Sequence, residues 1–344
     1  MSLDFDSARL PNPHFTEEHD AWRAALRRFI DTEVMPYADD WDEAGAIPTE
    51  LWSKAAEVGL LGLGYPEQFG GTPADSWHSW IVNEELSRVG VGGISASLMV
   101  HGIGLPPVLN WGPEWMQAEV APPVLKGEKW ISLGITEPGG GSDVANLATT
   151  AVRDGDHFVV SGSKTYITGG MRANWVSTAV RTGGEGAGGV SMLLIPTDAE
   201  GFSRTPLDRK MGWWASDTAT LYFDEVRVPA SNVIGAENEG FKVIMTNFNS
   251  ERMGMAAAME AYARVCLEEA VAWATERKTF GKRLADHQVI RHKIAQMKQQ
   301  LNATQAYIRM CYESIEAGTP NPGDIALLKV QASEVMEFCA REAM

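Results

Sequence analysis

Cysteine is scarce in this sequence: Cys266, Cys311 and Cys339 are the three in a chain of 344 residues. They lie far apart and form no C-x-x-C pair, which excludes a dithiol redox motif and a cysteine-zinc site, and no metal is expected. Each falls in a helical pattern, where a buried free thiol is the expected state. Reduced cysteines fit the cytoplasm. Long apolar runs are also lacking. No stretch of about 18 apolar residues is read, so no membrane span is expected. The opening MSLDFDSARLPNPHF lacks the apolar core of a secretory signal. Positive charge is in short supply: 29 Lys and Arg face 45 Asp and Glu, a net charge of −16. That balance argues against nucleic acid as a partner. No repeat of about 20–50 residues is visible.

What is present divides by period. A chain of this length implies two or three domains. Residues 1–127 read as helical. Thr16 is a plausible N-cap followed by Glu17 and Glu18, and Trp22, Leu26, Phe29 and Ile30 recur at helical spacing. Further helices are expected after Pro48-Thr49, over roughly 76–89 and over 113–126. From about 128 to 238 the pattern is β-rich: Phe158 to Val160, Trp175 to Val180, Val190 to Ile195 and Thr220 to Val228 are separated by glycine turns. Strands without intervening helices predict a small antiparallel sheet or barrel. From 239 to 344 helices return. Ile290, Ile294, Met297, Leu301, Thr304, Ile308, Cys311 and Ile315 form a bundle seam, and Ile325, Leu328, Ala332, Val335 and Cys339 form another. The fold class is therefore α+β and multidomain: an N-terminal helical domain, a middle β domain and a C-terminal helical bundle. Val335 to Met344 carries no stop signal, so the bundle reads as incomplete, its last helix cut short.

Three segments carry chemistry. Thr136-Glu137-Pro138-Gly139-Gly140-Gly141-Ser142-Asp143 offers glycines that let a ligand approach the backbone, and N–H groups suited to an anion. It has no Gly-Lys-Ser/Thr and no surrounding βαβ unit, which excludes a P-loop and a Rossmann turn. Lys164-Thr165-Tyr166-Ile167-Thr168 places an aromatic and a hydroxyl where they could meet a flat ring. Arg277-Lys278-Thr279-Phe280-Gly281, with Gln288 after it, offers a forked donor suited to pyrophosphate. Each alone has a plainer reading: a structural loop, a strand entering a turn, and a helix stopped by Gly281.

Taken jointly, in order and with Phe223-Asp224-Glu225-Val226-Arg227-Val228-Pro229 closing the β region, these segments resemble the acyl-CoA dehydrogenase family over nearly the whole chain. The resemblance implies an FAD-dependent oxidoreductase of fatty acid metabolism that converts an acyl-CoA thioester to the 2-enoyl-CoA. It implies a homotetramer that passes electrons to an electron-transfer flavoprotein. Leu133, Ile135, Thr136, Gly141 and Ser142 would line the flavin and its pyrophosphate, and Tyr166, Ile167 and Thr168 would cover and hydrogen-bond the ring. Arg277, Phe280 and Gln288 would reach the FAD of a neighbouring subunit. Ser142, Asn249 and Arg252 would border the acyl-CoA. With the chain so acidic, an anionic substrate must be held by local donors.

The α-proton requires a carboxylate base with a raised pKa. In most members the resemblance places it beyond residue 344, in a segment with further FAD contacts. In the isovaleryl and long-chain branches it matches Glu251. Two helical seams are equally regular here. One runs Ile244, Phe248, Glu251, Met255, Ala258 and Tyr262. The other runs Phe241, Met245, Phe248, Arg252, Met255, Met259 and Tyr262. Beside the dehydrogenase stand two other readings: an acyl-CoA oxidase or flavin monooxygenase of the same fold, and a non-catalytic acyl-CoA-binding subunit. Acyl chain length and branching are not encoded in any motif.

Overall fold

The first helix begins where the sequence signals it. In the computed structural model, which describes residues 3–208 and 210–344, the Thr16 N–H donates to His19 Nδ1 at 3.1 Å, and Glu17, Glu18 and Asp20 fill the first turn of α1 (Glu17–Glu33). Helices α2 (Ala38–Ala44), α3 (Glu50–Glu57), α4 (Ser76–Ser87), α5 (Gly92–Leu98), α6 (His101–Trp111) and α7 (Glu114–Leu125) follow. Then come strands β1 (Ile131–Gly134), β2 (Thr150–Asp154), β3 (His157–Thr168), β4 (Trp175–Arg181), β5 (Val190–Pro196), β6 (Phe202–Pro206), β7 (Thr218–Pro229) and β8 (Val233–Ile234). The chain closes with α8 (Gly240–Glu276), the two-residue strands β9 (Lys278–Thr279) and β10 (Lys282–Arg283), α9 (Gln288–Glu316) and α10 (Pro322–Ala343). These elements gather into two compact units that do not follow chain order. One holds Met1–Met35, Ala74–Gly90 and Asn249–Met344; the other holds Pro36–Pro73 and Val91–Phe248.

The second unit contains the sheet, in the order β6-β7-β3-β2-β4-β5-β8, with β1 pairing β4. The sheet is mixed rather than purely antiparallel, because β1 runs parallel to β4 in the register Ile131↔Trp175 to Gly134↔Thr178. Short strands β1, β2 and β6 lack a run of alternation long enough to show in sequence. One face of the sheet buries Phe158, Val160, Val176, Leu193, Leu221 and Val226. Another core packs Leu105 and Val108 of α6 and Val120 and Val124 of α7 with Ile131, Ala179 and Met192. The segment Gly92–Trp111 corrects the expectation of no long apolar run: its mean hydropathy reaches 1.3 over 18 residues. More than half of that window is buried inside the protein, and it is split between α5 and α6.

The first unit is helical. The five seam residues of α10 are all buried as expected, and α9 buries Met297, Leu301, Thr304, Ile308 and Cys311. Cys266 is half-buried, while Cys311 and Cys339 are buried free thiols. Of the two expected seams on α8, Ile244 alone is buried. Burial otherwise falls on Val243, Asn247, Met253, Ala256, Ala257, Glu260, Ala261, Ala263, Arg264, Leu267 and Ala274, with Met255 exposed. Small and charged residues carry this contact, so a search for large apolar residues misses it.

Glu260 and Arg264 belong to a network of five guanidiniums, Arg9, Arg23, Arg27, Arg88 and Arg264, and five carboxylates, of which Glu84, Glu85 and Glu260 are buried and Asp6 and Asp31 lie at the exposed edge. Arg9 Nε donates to Glu84 Oε1 at 3.0 Å, Arg23 binds both Glu84 and Glu85, and Arg27 joins Glu85 to Asp6. Arg264 binds Glu84 and Glu260. Burial opposes the charge on Glu84, but Arg264, Arg9 and Arg23 outweigh it and hold the carboxyl well below the usual range. Arg264→Met should lower the unfolding free energy by about 3–5 kcal/mol, because it leaves Glu260 in the interior without its guanidinium and removes one of the three that hold Glu84. The denaturant midpoint, read at constant m-value, measures this.

Candidate active site

In the sheet-bearing unit the structure brings two of the expected segments together. The Thr165 N–H donates to the Thr136 carbonyl at 2.9 Å, which lays β3 against the start of the glycine loop. The loop closes on itself through paired bonds between Glu137 and Gly140, at 3.0 and 3.1 Å. Beneath it Lys164 is fully buried, and its Nζ donates to Glu137 Oε1 at 2.7 Å and to the Ile135 carbonyl at 3.1 Å. Glu137 also accepts the N–H groups of Ala148 and Thr149. Burial works against the Glu137 charge, but Lys164 and these N–H groups keep the carboxyl below its usual range.

The outer side of this loop is free to take a ligand. A side chain added at Gly139 or Gly140 would meet nothing within 4 Å. Gly141 lies closer in, where an added Cβ would come 3.2 Å from the Thr136 methyl. Among the described residues, the N–H groups of Gly141 and Ser142 and the hydroxyls of Thr136, Ser142 and Thr168 have no protein partner. This donor set, two amides and three hydroxyls on the loop and the adjoining strand, suits a diphosphate and a heteroaromatic ring. Leu133 lies half-buried at the end of β1, and Ile135 is buried in the core.

The Tyr166 side chain leaves the sheet through a bulge. Between Lys164↔Leu221 and Ile167↔Ala219, β3 has one residue more than β7, and Tyr166 adopts φ +58°. Its ring is therefore 66% exposed, while Ile167 turns into the core and Thr168 stays half-buried. The turn after Thr168 is held from two sides. Ser132 Oγ donates to the Thr168 carbonyl at 2.8 Å, and Asp217 accepts the Met171 N–H at 3.2 Å and Arg172 Nε at 2.9 Å. Tyr166, Thr168, Lys210, Trp213 and Thr218 line a 470 Å³ open groove, in which Thr168 and Thr218 are register partners on β3 and β7. Trp213 also has a positive φ, +58°, and Lys210 Nζ ties its loop by donating to the Trp213 carbonyl at 2.8 Å. Two aromatics held in the left-handed region along one groove are a strained arrangement of the kind that clusters at ligand sites.

The remaining expected residues lie in the helical unit. Asn249, Glu251 and Arg252 occupy adjacent turns of α8, with Arg252 Nη1 donating to Asn249 Oδ1 at 3.1 Å. Glu251 is half-buried; burial pushes its carboxyl up to about 7, against the opposing pull of Arg252. Arg277, Phe280 and Gln288 cluster around a hairpin. The helix stop expected at Gly281 is not there: α8 ends at Glu276, and Phe280 and Gly281 form a two-residue turn between β9 and β10, with φ +52° and +78°. Phe280 is 96% exposed at its tip. Another grouping of metal-type ligands, His19, Asp75 and His78, is taken up by helix capping. The Thr16 N–H occupies His19 Nδ1, so a neutral His19 carries its proton on Nε2 and donates it to Asp75 at 3.0 Å. Asp75 in turn caps α4.

The sequence reading did not single out Glu137, Lys164, Lys210, Trp213 or Asp217. A signal for Lys164 existed: it shares the period-two face of Phe158 and Val160 on β3, which is the buried face.

Comparison with known proteins gives one answer along the chain. Family models match residues 16–128 (acyl-CoA dehydrogenase, N-terminal domain), 132–226 (middle domain) and 238–344 (C-terminal domain). The long-chain specific acyl-CoA dehydrogenase of Rattus norvegicus mitochondria is 33% identical over 333 residues, covering 96% of this chain and 77% of the relative. A solved structure of a probable acyl-CoA dehydrogenase from Mycobacterium abscessus superposes with a TM-score of 0.93 at 44% identity, over 95% of this chain and 88% of that one. A glutaryl-CoA dehydrogenase from Mycobacterium smegmatis, solved in complex with FADH2, superposes with a TM-score of 0.89 at 27% identity, over 96% and 84%.

Because the Tyr166 ring is exposed and its φ suits glycine, Tyr166→Gly should leave the stability of the apoprotein within about 1 kcal/mol. Tyr166→Val, β-branched at the same φ, should cost about 1–3 kcal/mol more. Paired denaturation curves of the two variants decide this.

Proposed function

The chain belongs to the acyl-CoA dehydrogenase family and uses FAD, and from that premise we propose that Glu251 is its α-proton base and an electron-transfer flavoprotein its acceptor. The observation that carries the assignment of Glu251 is its environment. A half-buried carboxyl on α8, raised by burial to about 7, is matched to proton abstraction near neutral pH. A long-chain specific enzyme is among the relatives, and the resemblance to that branch implies a base at this position.

The division of labour follows from the residues. The loop from Thr136 to Ser142 binds the diphosphate through its amides and hydroxyls, and Thr168 and Tyr166 orient the ring system. Asn249 and Arg252, paired on α8, border the thioester together with Ser142. Glu251 takes the proton from the carbon next to the thioester carbonyl onto its carboxylate. FAD supplies the two-electron acceptor for the hydride that leaves the β-carbon, so the products are the 2-enoyl-CoA and reduced cofactor. We further assign Arg277, Phe280 and Gln288 to the FAD of a neighbouring subunit in a homotetramer; the exposure of Phe280 at a hairpin tip supports this. Three free cysteines favour the reducing conditions of the cytoplasm.

An anaerobic panel of acyl-CoA thioesters, read by bleaching of the flavin absorbance, tests the activity. Rapid air reoxidation with peroxide formation would move the assignment to an oxidase. Glu251→Gln should retain FAD and acyl-CoA binding and slow flavin reduction by at least ~10²–10⁴-fold in stopped flow. Reduction at wild-type speed would remove Glu251 from the mechanism. For the wild type, Glu251 is protonated and idle below its pKa. The reduction rate should therefore rise with pH and level off above about 7; a rate flat from pH 5 to 9, a range of about two units either side, counts against the assignment.

A further inference from the structure

Lys164 is a fully buried cation whose place in the site is set by geometry alone. Its strand parity turns it beneath the glycine loop, and its Nζ reaches Glu137 at 2.7 Å and the Ile135 carbonyl at 3.1 Å. Glu137 is the hub of the loop's foundation. It opens the turn that presents Gly141 and Ser142, and it accepts the N–H groups of Ala148 and Thr149 on the return path toward β2. We propose that Lys164 is the positioning residue of the diphosphate loop, and that FAD retention depends on the charge it carries. This rests on FAD as the cofactor and on Thr136 to Ser142 as its diphosphate loop.

With Lys164 charged, the pair beneath the loop is neutral overall, and the two amides face the diphosphate unopposed. With Lys164 neutral, the buried charge of Glu137 remains under the same loop and repels the diphosphate at low local dielectric. The surroundings offer no substitute. Opposite Lys164 on β7 lies Leu221, and the neighbouring Thr165 hydroxyl meets that of Thr220. Arg181 on β4 binds the carbonyls of Ala145 and Leu147 and stays charged throughout. Among the described residues, Glu137 is the one carboxylate paired with Lys164.

Burial pushes Lys164 down to about 8, against the pull of Glu137. A lysine depressed in the fold favours folding more as pH rises from about 8 toward its unfolded value of 10.5. A bound diphosphate favours the charged form. The two readouts therefore move in opposite directions above pH 8: this group makes the apoprotein more stable while FAD binds less tightly. General alkaline unfolding cannot imitate that combination.

The test is fluorescence titration of apoprotein with FAD from pH 7 to about 9.5, with circular dichroism of the same samples. The expected result is a constant affinity up to about pH 8, then a fall of up to about tenfold per pH unit, with the fold intact. Lys164→Met should bind FAD roughly ten- to a hundredfold more weakly at pH 7, with no pH dependence over the range. Adding Glu137→Gln to that variant should recover part of the loss, which removal of a merely structural lysine would not predict. A wild-type affinity unchanged across the range overturns the proposal without needing any variant to fold, as does wild-type affinity in Lys164→Met. Wild-type protein that takes up no FAD at pH 7 removes the cofactor reading itself, a failure distinct from pH-independent binding.

Discussion

One ion pair, Lys164 with Glu137, ties the glycine loop to β3 in the sheet-bearing unit. A glycine-rich loop has little stiffness of its own, because each glycine adds conformational freedom that binding must then remove. Here the freedom is confined to Gly139 to Gly141. The residues on either side are fastened by one buried carboxylate that accepts a lysine and two backbone amides. The strand bearing Tyr166 and Thr168 carries the same lysine, so loop and strand share an anchor. Breaking such a pair in the interior costs more than a surface contact, because the surviving partner has no water to turn to.

The helical unit uses the same physics on a larger scale. Guanidiniums and carboxylates of the N-terminal segment, α1, α4 and α8 hold one another, and Glu84 alone gathers Arg9, Arg23 and Arg264 from three separate segments. An apolar core tolerates sliding; a network of forked donors and fixed carboxylates accepts one arrangement. The result specifies how the segments pack. It also explains why α8 can bury Glu260 and Arg264 beside a stripe of alanines.

Much of this was legible in the sequence, for identifiable reasons. The α10 seam was read correctly because large apolar residues alternate three and four apart, and that is the face it buries. The motif segments were legible because glycine, aromatic and hydroxyl residues sit in a fixed order. What escaped reading depends on distant partners. The α8 contact escaped because alanine, glutamate and arginine carry it. β1 escaped because four residues show no period. Trp213 and Asp217 escaped because their roles come from Lys210 and from the turn after Thr168. Glu137 and Lys164 were in plain view inside the motifs, 27 positions apart, and nothing local shows that one binds the other.

The discontinuous helical unit has a consequence for synthesis. Its three stretches, Met1–Met35, Ala74–Gly90 and Asn249–Met344, are separated by all of the sheet-bearing unit. On a ribosome adding about 5–20 residues per second, Arg23 and Arg27 emerge roughly 10–50 s before Arg264 can meet Glu84. During that interval the early helices carry unmatched charge and an uncovered apolar face. The sheet-bearing unit, complete at Phe248, has its whole sequence available first. The nascent chain thus holds the whole sequence of the sheet-bearing unit while the helical unit still waits for its third stretch, which begins at Asn249.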